Sequence, residues 1–368
     1  MTQSQNTWTT AGHGVPESME LDTETRALAA LVNLPPGFAE IADDPTLGPA
    51  VFNGMARVEK LLRDAIANSD PFVDKTSRHL VEAGGKRIRP LLVLLSSLLG
   101  GNEDINNDVV TAAAMVELTH LATLYHDDVM DSAPLRRGAP TAHEVWGNSV
   151  AILTGDLIFA RASILAASLG PESVDLQART FERLCLGQLH ESVGPRPDED
   201  PLEHYLDVIS DKTASLLAAA GEFGTRFGGS DEATMKTLNE YGEKVGVAFQ
   251  LADDVIDVTG AKVKSGKTPG TDLRERVPTL PVLILRRMAG EGDASASAVL
   301  ELVDGDLTSD EQLAAAVAAV SGHAATNEAW AVARQWADEA RAALAALPDS
   351  PVKRALLDFA DAVVSREQ

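Results

Sequence analysis

One cysteine, Cys185, occurs in 368 residues. A lone thiol cannot close an internal disulfide, and its use fits a reducing compartment. Core packing is its expected role. Aromatics are only 4% of the chain, and Ala and Leu dominate. Sheets favour aromatic and β-branched residues, so this mix points to helices. Cations are scarce: 31 Lys and Arg face 55 Asp and Glu, a formal charge of −24 and a pI near 4.6. No basic stripe is available for nucleic acid. An anionic ligand needs a metal or a local cluster of Arg and Lys. Long apolar runs are missing too. The longest, Leu91 to Leu99, is interrupted by Ser96 and Ser97 and is too short to span a bilayer. Met1 to Gly14 is polar and lacks a secretory pattern. A cytoplasmic location is expected, with transient contact at a membrane surface left open.

The length allows one large core or two modest domains. Residues 1–48 read as an N-terminal extension, partly disordered. It holds a polar tail, a short helical stretch at Glu24 to Val32 and a break at Pro35 to Gly37. Residues 49–368 read as one helical domain, with no internal boundary and no convincing strand alternation. Helices are expected at Glu59 to Ala67, Pro90 to Leu99, Val109 to Met130, Ser149 to Leu169, Gln177 to Glu191, Tyr205 to Gly221 and Glu232 to Val258. Two or three more are expected between Leu280 and Ser365. Loops are expected at Gly100 to Asn107, Ser132 to Ala139, Gly194 to Pro201 and Gly260 to Pro278.

A five-residue pattern appears twice: Asp127-Asp128-Val129-Met130-Asp131 and Asp253-Asp254-Val255-Ile256-Asp257. Residues four apart share a helix face, so Asp127 pairs with Asp131 and Asp253 with Asp257. An acidic cluster is usually a solvated face. Here the flanks are apolar, Leu121 to Tyr125 and Val247 to Ala252. Carboxylates on largely buried helices need a cation. Two such faces turned together would make a carboxylate cage for Mg²⁺, completed by phosphate oxygens.

The cations cluster as well. Gly84-Gly85-Lys86-Arg87-Ile88-Arg89-Pro90 sets three of them beside two glycines at a helix start. The glycines let backbone approach an anion, and Arg and Lys bind diphosphate oxygens. The alternative is a helix C-cap followed by surface charge. Arg136-Arg137-Gly138 follows the first acidic motif and suits phosphate. Lys212-Thr213 and Lys267 are weaker signals. His120 and His126 lie on the helix of the first motif, where a lone His is more often a satisfied core residue.

These segments, in this order, resemble the all-trans polyprenyl diphosphate synthases, the chain-elongating isoprenoid family. The likeness runs from about Val51 to the C-terminus. It rests on Gly84 to Pro90, His126 to Asp131, Leu135 to His143, Gly155-Asp156, Lys212-Thr213, Phe249 to Asp257 and Gly266 to Pro281. The resemblance implies an all-α fold, a single large helical domain around a deep central cavity, usually a homodimer. It implies isopentenyl diphosphate and an allylic diphosphate as substrates, with about three Mg²⁺ ions bound alongside the diphosphate. By that likeness Asp127, Asp131, Asp253 and Asp257 are metal ligands, with Asp128 and Asp254 supporting them. Lys212 acts with these carboxylates. Arg136 holds the allylic diphosphate; Lys86, Arg89, His120 and Arg137 hold isopentenyl diphosphate. Lys212, Thr213, Gln250 and Lys267 line the allylic site. One position departs from the family: where many relatives have Gly-Lys, this chain has Arg276-Val277. Either Arg276 replaces that cation or the allylic site is one charge poorer.

The product tail is expected to run along the helix of Asp127. One turn spans roughly 5.4 Å, so Ala122 and Thr123 lie one turn deeper, and Thr119 and Met115 deeper again. Relatives with short products place a bulky aromatic at the first of these levels. Small residues here suggest a product beyond C20, suited to a menaquinone or other quinone side chain. Met115 and Tyr125 are the two possible floors. The rivals are a short-chain (C15–C20) synthase, a terpene cyclase or head-to-head synthase, a regulatory subunit of a heteromeric synthase, and a helical scaffold with incidental acid clusters. The cyclase has no use for Gly84 to Pro90, and a regulatory subunit usually loses its acidic motifs.

Overall fold

The computed structural model describes Phe38, Ile41 and residues 44–101, 104–259 and 269–365. Its helices are α1 (Leu47–Ile66), α2 (Pro71–Glu82), α3 (Ile88–Ser97), α4 (Asn107–Met130), α5 (Ala142–Trp146), α6 (Asn148–Ser168), α7 (Pro171–Val193) and α8 (Pro201–Ile209). They continue as α9 (Ser215–Phe227), α10 (Glu232–Thr259), α11 (Thr271–Arg274), α12 (Leu280–Gly290), α13 (Ala294–Val303), α14 (Asp310–Ser321), α15 (Ala324–Ala343) and α16 (Pro351–Val364). The fold is all-α, as the composition suggests.

The helix α4 is the centre. Ala112 to Thr119 are all buried, and a helix apolar on every side belongs inside a bundle. It packs against α1, α3, α6 and α9. The helix α10 packs against α9 and α15. Small residues bring these axes close. A Cβ at Gly242 of α10 would lie 2.5 Å from the Ala218 Cα of α9, a distance no real side chain occupies. Both acidic motifs thus end long core helices, so their carboxylates are presented by rigid rods.

Several helices begin where proline occupies the first turn and an upstream side chain caps it. Asp70 accepts from Phe72 N and Val73 N ahead of Pro71, Asp200 from Leu202 N and Glu203 N ahead of Pro201, and Ser350 from Lys353 N ahead of Pro351. Proline is preorganised there, and the cap satisfies donors the helix leaves orphaned. The helices α2, α7 and α8 thus begin at proline, α2 where no helix is expected and α7 and α8 ahead of the expected starts at Gln177 and Tyr205; α7 has the proline without a side-chain cap.

A small sheet replaces part of the loop expected at Ser132 to Ala139. β1 (Leu135–Arg136) pairs antiparallel with β2 (Ala139–Pro140). Arg137 and Gly138 form the turn with φ of 55° and 80°, the double positive φ that matches strand twist. It aims Arg136 back at Asp128 of the first acidic motif and Arg137 at the Leu80 carbonyl.

Phe38 and Ile41, assigned to the extension, are buried, and the Phe38 ring stacks on Phe359 of α16 at 4.4 Å. The folded body therefore reaches upstream of residue 49; residues 1–37 lie outside the described residues. Phe38→Ala is expected to lower stability by about 3 kcal/mol, the cost of emptying a buried aromatic site. A urea midpoint unchanged from wild type would show that this segment is not part of the core.

Candidate active site

The acidic and basic residues form two clusters carried by different elements. On the basic side, Gly84 and Gly85 have φ of 80° and 154°, and Arg87 is left-handed at 48°. A Cβ on Gly85 would come within 2.8 Å of the Arg137 guanidinium. Glycine here admits the hairpin arginine. Arg87 is structural: it bonds Glu59 at 2.6 Å, Glu117 at 2.7 Å and the Val81 carbonyl at 3.1 Å. Arg89 is different. Its Nε is buried without a hydrogen-bond partner.

Arg137 donates to the Leu80 carbonyl at 3.1 Å. Burial and the neighbouring Arg87, Arg136 and Arg89 push its pKa down to about 10, although Glu117 opposes this. His120 sits among the same arginines. Burial, then Arg89, Arg137, Arg136 and Arg87, hold its pKa well below the usual value, so the imidazole is neutral at pH 7. The Lys86 ammonium lies 5.9 Å from the Phe249 ring, which joins the basic turn to α10. Lys86, Arg89, His120 and Arg137 are thus brought together.

On the acidic side, burial raises Asp127 to about 6, against the opposing charge of Lys212, while Asp131 adds to the rise. Arg136 is committed to Asp128 through Nε at 2.7 Å and Nη2 at 2.6 Å, and Asp128 Oδ2 stays buried without a partner. Asp131 is exposed. In the second motif, Asp254 accepts from the Tyr205 hydroxyl and from Gln250 Nε2 at 2.8 Å. Burial first, then Asp272, raise it to about 8, and these two hydrogen bonds act against the rise. The Asp257 carboxylate receives the Asp272 N–H at 3.2 Å, so it also ties down the start of α11.

The two motifs are joined by one turn. The helix from Pro201 to Phe227 is continuous but carries a π turn at Ser210–Ala214. Such single π turns concentrate at functional sites. Lys212 Nζ reaches Glu191 at 2.5 Å and is felt by Asp127. The Thr213 hydroxyl donates to Gln250 at 3.2 Å, and Gln250 leads to Asp254. Glu191, Tyr205 and Arg183 were missed as site neighbours in the sequence. Glu191 and Tyr205 had only helical context to mark them.

Two expectations change, and one falls where nothing is described. Among the described residues no three His, Cys, Asp or Glu side chains form a preformed metal cluster, so the closed cage is not present. Mg²⁺ typically takes one or two carboxylates and fills its octahedron with water and substrate phosphate. The hard oxygen donors here, with Asp127 costly to ionise alone and Asp128 Oδ2 unpartnered, fit that ion as paired ligands. Second, Arg276 does not replace the missing cation. Its guanidinium bonds the Val303 and Gly305 carbonyls at 3.0 and 2.5 Å, turned to the end of α13. Third, Lys267 lies outside the described residues.

An all-α bundle whose core helices confront carboxylates with arginines defines an enzyme that handles diphosphates. Residues 70–320 match the polyprenyl synthetase family, and the chain belongs to it; the protein is a prenyltransferase of that family. It is 44% identical over 323 residues to a nonaprenyl diphosphate synthase of Mycobacterium tuberculosis, covering 88% of this chain and 95% of that one. It is 36% identical over 322 residues to a dimethylallyltranstransferase of the same organism, covering 88% and 97%. Among solved structures, geranylgeranyl pyrophosphate synthase from Corynebacterium glutamicum, complexed with calcium and isoprenyl diphosphate, is similar at 41% identity and TM-score 0.78, covering 88% of this chain and 98% of that one.

The raised Asp127 pKa has a measurable sign. An unfolded Asp titrates near 4. The folded group holds its proton longer, so this contribution to stability is complete below about pH 4 and is lost as pH rises to about 6. In metal-free protein, Asp127→Asn should therefore raise the melting temperature at pH 8 by a few degrees and leave it unchanged near pH 4. A lower melting temperature at pH 8 would contradict a destabilising buried carboxylate.

Proposed function

We propose that this protein condenses isopentenyl diphosphate with an allylic diphosphate to build an all-trans polyprenyl diphosphate longer than C20, of the kind used for a quinone side chain. The observation that carries the chemistry is the π turn, which holds Lys212 on Glu191, close enough for its charge to act on Asp127, and Thr213 against the Gln250–Asp254 pair. Asp127, Asp131 and Asp253 would hold Mg²⁺, with Asp257 contributing from the helix end. Bound there, the metal supplies charge neutralisation to the leaving diphosphate. Lys212 adds a fixed positive charge where negative charge develops. The allylic C–O bond breaks and the diphosphate leaves with the electron pair. The isopentenyl double bond then attacks the allylic cation, and the proton lost from the adduct passes to the departed diphosphate. Lys86, Arg89 and Arg137 hold the isopentenyl diphosphate across the pocket. Neutral His120 offers a hydrogen bond without adding a further like charge. Arg136 serves the allylic side only if substrate oxygen competes with Asp128.

Relatives make both short and long products, so length is argued from the walls. Ala122 is buried and small. Deeper along α4, Met115, Val116 and Thr119 meet Gln177 and Thr180 of α7 and Leu216, Ala219 and Phe223 of α9 around a crevice of only about 10 Å³, so a growing tail has to part these side chains. Tyr125 is not its floor. The Tyr125 hydroxyl donates to the Thr76 carbonyl of α2 at 2.6 Å, away from this channel. Thr119→Phe and Ala122→Phe are expected to shorten the product to C15–C20 while turnover continues. Asp127→Ala and Asp253→Ala should each lower turnover by several orders of magnitude with folding intact. Sizing of dephosphorylated products from labelled isopentenyl diphosphate checks both, and full turnover in both Asp variants would sink the reaction.

The same reading includes a homodimer. The helix α6 is long and apolar enough to cross a membrane, with mean hydropathy 1.7, yet only a third of that stretch is buried. Ile152, Leu153 and Ile164 of α6 and Val174, Leu186 and Leu189 of α7 are exposed. The two helices pack together through stacked Phe159 and Phe181. An apolar face spread over two packed helices marks an interface. Asp156 and Arg161 lie within α6 and disfavour a lipid-spanning role. Leu153→Glu with Leu189→Glu should convert a dimer to a monomer in sedimentation analysis; an unchanged mass would place the interface elsewhere.

A further inference from the structure

The π turn that carries Lys212 and Thr213 is held by a residue outside the diphosphate site. Arg183, on α7, donates through Nε to Asp211 at 2.7 Å and through Nη2 to the Ser210 carbonyl at 3.3 Å and hydroxyl at 3.2 Å. It also forms a two-pronged ion pair with Glu243 of α10. The Ser210 hydroxyl reaches the same Glu243 at 3.3 Å. One guanidinium thus joins α7, the π turn and α10. Its planar fork suits several acceptors at once, which an ammonium cannot match.

The turn is gripped from both sides as well. A Cβ on Gly187 of α7 would lie 2.7 Å from Lys212 N, and a Cβ on Gly246 of α10 would lie 2.6 Å from the Ala214 Cα. Both helices touch its backbone directly. The strained register is closed by the Ser215 N–H, which bonds Ser210 O five residues back, and by the Ser215 hydroxyl, which bonds Asp211 O at 2.6 Å. A π turn holds one residue more than an α turn. Relaxing it would rotate the side chains on one side by roughly 100° about the axis. Leu216, Leu217, Ala218 and Ala219 are buried in the core, so α9 is fixed and the rotation falls on Ser210 to Thr213.

We propose that Arg183 is the positioning residue of this site: by pinning Ser210 and Asp211 to Glu243 it holds the π turn open, and so holds Lys212 against Glu191 and Thr213 against Gln250. The inference rests on the proposed condensation and goes beyond it, because Arg183 itself touches no substrate. Its effect belongs to the allylic side, since the cluster of Lys86, Arg89 and Arg137 lies on other elements.

The test is a double-mutant cycle on the full chain, with Mg²⁺, farnesyl diphosphate and isopentenyl diphosphate. Arg183→Met is expected to raise KM for the allylic substrate about tenfold and leave KM for isopentenyl diphosphate within about twofold. Lys212→Ala alone should cost about a hundredfold in kcat/KM. If Arg183 acts through the turn, adding Arg183→Met to Lys212→Ala costs no more than about twofold further. Multiplying losses, or equal shifts in both KM values, would overturn the assignment. Should Arg183→Met fail to fold by circular dichroism, Arg183→Lys carries the same cycle, because its single ammonium reaches Asp211 or Glu243 but not both. Wild-type turnover separates the two ideas: none with farnesyl diphosphate or with geranylgeranyl diphosphate as the allylic partner sinks the condensation, whereas normal turnover with multiplying variants sinks only the role of Arg183.

Discussion

Unbalanced charge held apart in a dry interior is the constraint on which the structure depends. Asp127, Asp128 and Asp254 are pushed toward their neutral forms by burial, and burial pushes Arg89 and Arg137 the same way. Each group is costly in isolation. Neither cluster can move to meet the other, because each is fixed on rigid elements: the acids on long core helices, the bases on a glycine turn and a two-residue hairpin. A ligand bearing both metal-bound and free phosphate oxygens satisfies both, so the stability the fold forgoes here is recovered on binding.

The glycines show how such closeness is reached. Gly85 makes room for the Arg137 guanidinium, Gly242 for the α9 backbone, and Gly187 and Gly246 for the turn between the motifs. The elements that carry acid, base and turn come this close because side chains are missing at the points of contact. That distribution also explains why α4 can be buried on every side and still end in an accessible carboxylate at Asp131.

The sequence disclosed the chemistry better than the geometry. Repeated Asp-Asp-x-x-Asp and Gly84 to Pro90 were visible because charge stood out against apolar flanks and against a chain poor in cations. The all-α fold followed from Ala and Leu content, and most core helices from their periodicity. What stayed hidden depended on contacts distant in the chain. Nothing local separates Arg87, which is locked between Glu59 and Glu117, from Arg89, which has a spare donor. Nothing local reveals that Arg276 is turned to α13 or that Tyr125 faces α2. The helix α2 was missed through underweighting Asp70-Pro71, and the hairpin through its two-residue strands, too short for alternation. The extension boundary failed at Phe38, whose partner Phe359 lies at the far end of the chain.

The helix α7 has two working faces. Inward it presents Arg183 and Gly187 to the turn that carries Lys212; outward it presents Leu186 and Leu189. These residues are interleaved within two turns of one rigid rod. In the proposed dimer, a partner covering these leucines would bear on the same backbone that grips Lys212, so assembly would stiffen the turn that carries it.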